Sequence, residues 1–241
     1  MIFQKLEDNR KSNRIQSLAL IDPDKKNDSM LLDMIKNINH SGFDGILVGG
    51  SHIDDNGFDE RIKIIKNSTK LPVIIFPGDS TQVSRHADAI LFTSLISGRN
   101  PKYLIEEQVK SSQLIHQYKL ETIPTGYLLL KTDKKSAVEI VSNTVPLDMN
   151  NEDLILSHAL AAQYFGMRYV YLENGSGADS SVDPNLIKYL SDNIDIPIIV
   201  GGGIKTHKQV KNIKNAGARF IVIGTLLEQN PDSKFISSLL D

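Results

Sequence analysis

The chain has 241 residues, in the range of one α/β barrel of about 250, with 27 Lys+Arg against 29 Asp+Glu and no cysteine. The balanced charge gives no electrostatic footprint for nucleic acid or an anionic membrane. The lack of cysteine excludes disulfides, thiolate zinc sites and cysteine nucleophiles, and fits a reducing compartment.

In chain order, residues 1–14 are polar and charged and lack the apolar centre of a signal peptide. They are too polar for a strand and are expected to lay a helix across the bottom of the fold. Short apolar runs then follow at 18–21, 45–48, 72–76, 89–92, 122–130, 169–172, 196–200 and 220–223. Each predicts a strand buried on both faces, as a parallel sheet covered by helices requires. None approaches the roughly 20 residues that span a bilayer. A cytoplasmic location is therefore expected.

The segments between the runs carry helix signals. Leu31, Leu32, Ile35 and Ile38 are expected to share one face, as are Leu104, Ile105, Val109 and Ile115. Asn151 caps a helix that opens with Glu152 and Asp153 and is followed by Gly166. Asp183-Pro184 places a cap before a proline at the first helical position. Thr206 with Gln209 makes a capping box, and Gly217 ends that helix. Two connections are irregular. Residues 76–89 leave no room for a full helix with loops, and 131–168 carry extra loop. The alternation predicts a single α/β domain over 1–241, a slightly irregular (β/α)₈ TIM-type barrel. An open doubly wound sheet is the alternative, which the strand count disfavours.

Active sites of such barrels stand at the carboxyl ends of the strands. After the first run comes Asp22-Pro23-Asp24-Lys25, two carboxylates and an ammonium that can meet a hard cation and a phosphate, or simply form a turn. Gly49-Gly50-Ser51-His52 follows the second run, either a close backbone approach to a ligand or a tight turn. Period two points Tyr171 and Glu173 the same way, toward the mouth, and Asn174-Gly175-Ser176-Gly177-Ala178 follow. The seventh run ends in Gly201-Gly202-Gly203 before a capped helix, the eighth in Gly224-Thr225. Glycine turns expose successive N–H groups to an anion, and phosphate sites in these barrels commonly follow strands seven and eight. A phosphate site at the ends of strands six to eight is therefore expected. Glu173 beside it is a candidate general base, with a salt-bridged rim residue as the alternative. Tyr127 either packs a ligand or belongs to the core. The six histidines show no metal-ligand spacing, and neither a Gly-x-Ser-x-Gly elbow nor a P-loop is present.

Several strings now stand in order: Ile21-Asp22-Pro23-Asp24-Lys25, Val48-Gly49-Gly50-Ser51, Phe76-Pro77-Gly78, Ser94-Leu95 with Arg99-Asn100-Pro101, Pro124 with Gly126-Tyr127, Tyr171-Leu172-Glu173 with Gly175-Ser176-Gly177-Ala178, and Gly201-Gly202-Gly203-Ile204-Lys205-Thr206. From about Ser17 to Glu228 the chain resembles the geranylgeranylglyceryl phosphate synthases and their heptaprenyl relatives, in length the longer of two branches.

The resemblance implies a Mg²⁺-dependent prenyltransferase, releasing diphosphate as it joins a long prenyl group, geranylgeranyl by preference, to the C3 hydroxyl of sn-glycerol 1-phosphate. It implies metal ligation by Asp22 and Ser51, and Lys25 at the diphosphate. Glycerol phosphate would lie on Tyr171, Leu172, Glu173, Asn174, Gly175, Ser176, Gly177 and Ala178, with Gly202, Gly203, Gly224 and Thr225. Glu173 would act as base, Tyr171 would orient the glycerol and Tyr127 would wall a lateral prenyl groove. A homo-oligomer, dimer or larger, is also implied. The chain departs from the family pattern at Asp79, at Ser97-Gly98 and at Thr225, where Asn, Asn-Ser and Asn are usual. Two other readings fit the same residues. One is a sugar-phosphate isomerase or epimerase using Glu173 with Asp22 or Lys25. The other is a non-catalytic phosphometabolite-binding barrel.

Overall fold

The strands pair in sequence order, every pair parallel, and β8 closes on β1. The computed structural model that shows this describes residues 1–8, 15–50, 53, 55–229 and 232–240. The strands are β1 (Gln16–Ile21), β2 (Gly45–Val48), β3 (Val73–Ile75), β4 (Ala89–Ser94), β5 (Glu121–Leu129), β6 (Tyr169–Glu173), β7 (Ile198–Gly201) and β8 (Phe220–Ile223). The expected barrel is what forms, and the doubly wound sheet is excluded.

Alternation along the strands makes two cores. Leu18, Leu47, Ile74, Leu91, Ile123, Tyr169, Ile199 and Phe220 fill the barrel interior. Ala19, Ile46, Ile75, Ile90, Leu172, Val200 and Ile221 face outward and pack with the helices. Those helices are α2 (Leu31–His40), α3 (Phe58–Asn67), α4 (Glu107–Tyr118), α5 (Ala137–Ser142), α6 (Glu152–Tyr164), α7 (Pro184–Asn193), α8 (His207–Asn215), α9 (Thr225–Gln229) and α10 (Ser233–Leu240). None of the described helices is long and apolar enough to cross a membrane.

The expected N-terminal helix is α1 (Ile2–Asp8), and it floors the barrel. Its free N–H groups at Ile2 and Phe3 donate to the Glu121 carboxylate at the start of β5. Leu6 is buried in the interior core, and Phe3 meets the Tyr169 ring at 5.6 Å. Among the described residues α1 thus closes the amino ends of the strands, and the cavity lies at their carboxyl ends.

The expected caps form. Asn151 accepts from Leu154 N, Asp183 accepts from Asn185 N, and Thr206 and Gln209 make a reciprocal capping box. Two helix faces differ from expectation. Leu32 is 61% exposed and Met34 takes its place in the core. Ile105 and Val109 are exposed while Ile115 is buried. Residues Lys102–Glu106 form a π-helix running into α4, so the phase of that face is shifted. At about 100° per residue, Val109 and Ile115 point to different sides in any case.

The connection between β3 and β4 contains no helix, as its length required. Its fold depends on buried polar anchors. Glu107 accepts from Ser80 N at 2.7 Å and Ser84 donates to Asp59 at 2.6 Å. The ring of helices thus has no member between α3 and α4, and the cavity reaches Val83 and Ile90 there.

Candidate active site

A cavity of about 650 Å³ occupies the carboxyl ends of the strands. It extends from the glycine loops after β6, β7 and β8 to a wall of Val83, Ile90, Phe92, Leu95, Tyr103 and Ser111 beside the open connection. One end is polar and the other largely apolar.

Glu173, the last residue of β6, lies between them and is 8% exposed. Its Oε1 accepts from Gly175 N at 2.7 Å, and the Tyr127 hydroxyl donates to the same carboxylate. Burial pushes the Glu173 carboxyl above its ordinary range, opposed by these two hydrogen bonds. Tyr127 and Tyr171 are themselves raised, first by burial and then by the nearby Glu173 charge, so both hydroxyls stay protonated, and that of Tyr127 donates to Glu173. Phe76, Tyr127 and Tyr171 form a ring cluster with centroids 5.0–5.8 Å apart, beneath the cavity. Tyr127 therefore does more than wall a groove: it bonds the carboxylate. A buried carboxyl with a raised pKa is suited to taking a proton from a hydroxyl near neutral pH.

The glycine loops converge. Gly175, Gly177, Gly202 and Gly203 all have positive φ. A Cβ on Gly202 would stand 2.3 Å from the Gly175 carbonyl oxygen, and one on Gly203 1.9 Å from that of Ser180. The second loop therefore fits under the first only as glycine. Ser176 and Thr225 hydroxyls are 3.0 Å apart, joining the loops after β6 and β8. Gly175, Ser176, Gly177, Ala178, Gly202, Gly203, Gly224 and Thr225 all line the cavity, with N–H groups of the kind that hold an anion. Thr225, despite departing from the family's usual Asn, supplies a hydroxyl there.

Two expected binding residues turn away. Leu172 points outward into the helix-facing core, because it alternates with Tyr171 and Glu173. Asn174 is 1% exposed and its amide donates to the Ser180 carbonyl, so it braces the loop rather than lining the cavity.

At the end of β1, next to β8, Asp22 lines the cavity and its Oδ1 is buried without a hydrogen-bond partner. A Cβ on Gly50 would be 2.7 Å from that oxygen. The described residues hold no cluster of three or more His, Asp or Glu that could bind a metal. An unpartnered hard oxygen at a cavity wall nevertheless fits Mg²⁺, which keeps waters and substrate phosphates as its other ligands. Ser51 and the Lys25 side chain lie outside the described residues. Lys26, one position on, lines the cavity and reaches Asp22 Oδ2 at 3.4 Å. Sequence reasoning missed Lys26 because two adjacent lysines carry the same signal. It also missed Gln82, which is 1% exposed and ties two glycine turns by accepting from Gly50 N and Gly78 N and donating to Gly50 O. Asp79, another departure that lines the cavity, accepts from the N–H and hydroxyl of Thr81. Ser97 accepts from Leu129 N at 3.0 Å, holding the end of β5.

The family model described as the PcrB family matches residues 9–240. A geranylgeranylglyceryl phosphate synthase of Flavobacterium johnsoniae is 44% identical over 98% of this chain and 97% of its own length. One from Methanosphaera stadtmanae is 39% identical over 92% and 91%. Among solved structures, the (S)-3-O-geranylgeranylglyceryl phosphate synthase of Thermoplasma acidophilum, in complex with its substrate sn-glycerol 1-phosphate, superimposes with a TM-score of 0.91. It is 36% identical and the match covers 100% of this chain and 98% of that one.

Proposed function

Because the chain belongs to the PcrB family, we propose that it transfers a geranylgeranyl group from its diphosphate to the C3 hydroxyl of sn-glycerol 1-phosphate. The observation that carries this reading is a buried carboxylate, Glu173, set between a glycine-lined anion pocket and an apolar groove. The glycerol phosphate rests its phosphate on the loops after β6, β7 and β8, which brings its free hydroxyl to Glu173. Glu173 removes the hydroxyl proton as the oxygen attacks C1 of the prenyl group. The bond from C1 to the diphosphate oxygen breaks, and diphosphate leaves with both bonding electrons. Tyr171 orients the glycerol, and Tyr127 holds Glu173 in place. The apolar tail lies in the groove toward Val83, Phe92 and Leu95, where no helix covers the barrel.

Asp22, with Ser51, would hold Mg²⁺ on the diphosphate side, and Lys26 adds a positive charge there. When bound, the ion neutralises charge that develops on the leaving group. Replacing Asp22 by Asn is expected to remove Mg²⁺-dependent turnover and to leave sn-glycerol 1-phosphate binding within about twofold, because the loops after β6 and β7 that cradle the phosphate stand three and two strands from β1. An active Asp22→Asn enzyme with unchanged Mg²⁺ dependence rejects that role. We place the protein in the cytoplasm and as a homo-oligomer. The exposed Ile105, Val109, Ile140, Val141 and Val145 supply an apolar face for self-association, on elements joined by the Tyr103 hydroxyl and the Val141 carbonyl.

The deciding experiment supplies labelled sn-glycerol 1-phosphate, Mg²⁺ and prenyl diphosphates of several lengths, with sn-glycerol 3-phosphate as control. An organic-soluble product from the 1-phosphate, of the mass of a geranylgeranyl ether, is expected. Its absence, with phosphate binding retained, returns the site to isomerase or binding-protein chemistry.

A further inference from the structure

Behind the strand ends, outside the cavity, Arg61 of α3 has a side chain only 8% exposed. Its guanidinium is shared between two carboxylates. Nε and Nη2 donate to Asp28 at 2.5 and 2.9 Å, and Nη1 and Nη2 donate to Asp55 at 2.6 and 2.8 Å. Asp28 belongs to the connection leaving β1, beyond Asp22. Asp55 belongs to the connection leaving β2, beyond Gly50. Asp55 also accepts from Gly57 N at 2.8 Å, and a Cβ on Gly57 would stand 2.7 Å from Arg61 Nη1. The backbone lies flat against the guanidinium. These same two connections touch again at the cavity, where Asp22 packs on Gly50.

We propose that Arg61 is a positioning residue for the diphosphate end of the site, setting the spacing of the β1 and β2 connections without touching substrate. The inference rests on the prenyltransferase reading above. The planar fork can bond two carboxylates at once, which the single ammonium of a lysine cannot do in the same geometry. Without the fork, the bridge that holds the two connections at a fixed spacing is lost. The Asp22 side of the mouth then shifts, while the glycine loops after β6 and β7, three and two strands from β1, stay in place.

The test compares wild type with Arg61→Lys, reading KM for geranylgeranyl diphosphate, KM for sn-glycerol 1-phosphate, the half-saturating Mg²⁺ concentration and the circular dichroism of each protein. The expected result is a rise of about tenfold or more in the first and third quantities, the usual weight of an outer-shell partner, with the second within about twofold. Unchanged values, or two KM values that rise in parallel in a folded protein, overturn the proposal. Should Arg61→Lys not fold, Gly57→Ala presses on the guanidinium with both carboxylates present, and the same split is required of it. Calorimetric titration with inorganic diphosphate and MgCl₂ separates this inference from its premise. If wild type binds diphosphate but makes no ether, the reaction assignment falls, and weaker binding by Arg61→Lys still supports the positioning role. Equal binding by the two proteins overturns it. If wild type binds no diphosphate, both ideas fall.

Discussion

Replacing Glu173 by Gln is expected to lower kcat about 10²–10⁴-fold, the usual contribution of a general base, with little change in sn-glycerol 1-phosphate affinity. Gln keeps the volume and an acceptor for Gly175 N, so the buried site stays filled, and the variant loses the ability to take a proton. Steady-state rates and calorimetric titration of the glycerol phosphate provide the check. A variant within about threefold of wild type moves the base elsewhere. The pH profile gives a second handle. Burial raises the Glu173 carboxyl, and the Tyr127 and Gly175 hydrogen bonds lower it. The active form is the carboxylate, so the rate falls as pH drops through this raised value. Tyr127→Phe removes one of the lowering bonds, raises the carboxyl further, and moves the acidic limb to higher pH. A limb that stays in place or moves down excludes Glu173 as the titrating group.

Gly202→Ala is the second large effect. At φ +85° a side chain is strained, and the new Cβ would meet the Gly175 carbonyl oxygen at 2.3 Å. The loops after β6 and β7 must separate, and the anion pocket opens. Losing even one charge-assisted hydrogen bond to phosphate, about 1.5–3 kcal/mol, weakens sn-glycerol 1-phosphate binding by about 10–150-fold. Gly166→Ala is the control. Gly166 also has a positive φ, +77°, but a Cβ there meets nothing within 4 Å, so the backbone penalty is paired with intact loops. Calorimetry on the two folded variants should show lost affinity in the first alone. Equal affinities would place the phosphate elsewhere.

The resemblance and the physical reading of the residues agree on where the site stands because both rest on strand ends. Glu173 was legible: an apolar run fixed β6, and period two set Tyr171 and Glu173 on the same side. The caps at Asn151, Asp183 and Thr206 were legible because capping joins groups two or three residues apart. Helix faces were less so. Leu32 and Val109 are apolar yet exposed, since the pattern does not say how wide the buried stripe is or that a π-turn shifts its phase.

By itself, then, the sequence determined the number and order of the strands, the helix caps and the glycine turns that make the anion pocket. Each depends on neighbours a few residues apart. Only the tertiary structure decided that Tyr127 bonds Glu173, that Lys26 faces Asp22, that Gln82 ties two glycine turns, and that Arg61 joins Asp28 to Asp55. Apart from Lys26 and Asp22, which are near in sequence but whose pairing depends on how the turn is held, these contacts connect different strand ends. They exist because barrel closure brings those ends together, and no local periodicity records that closure.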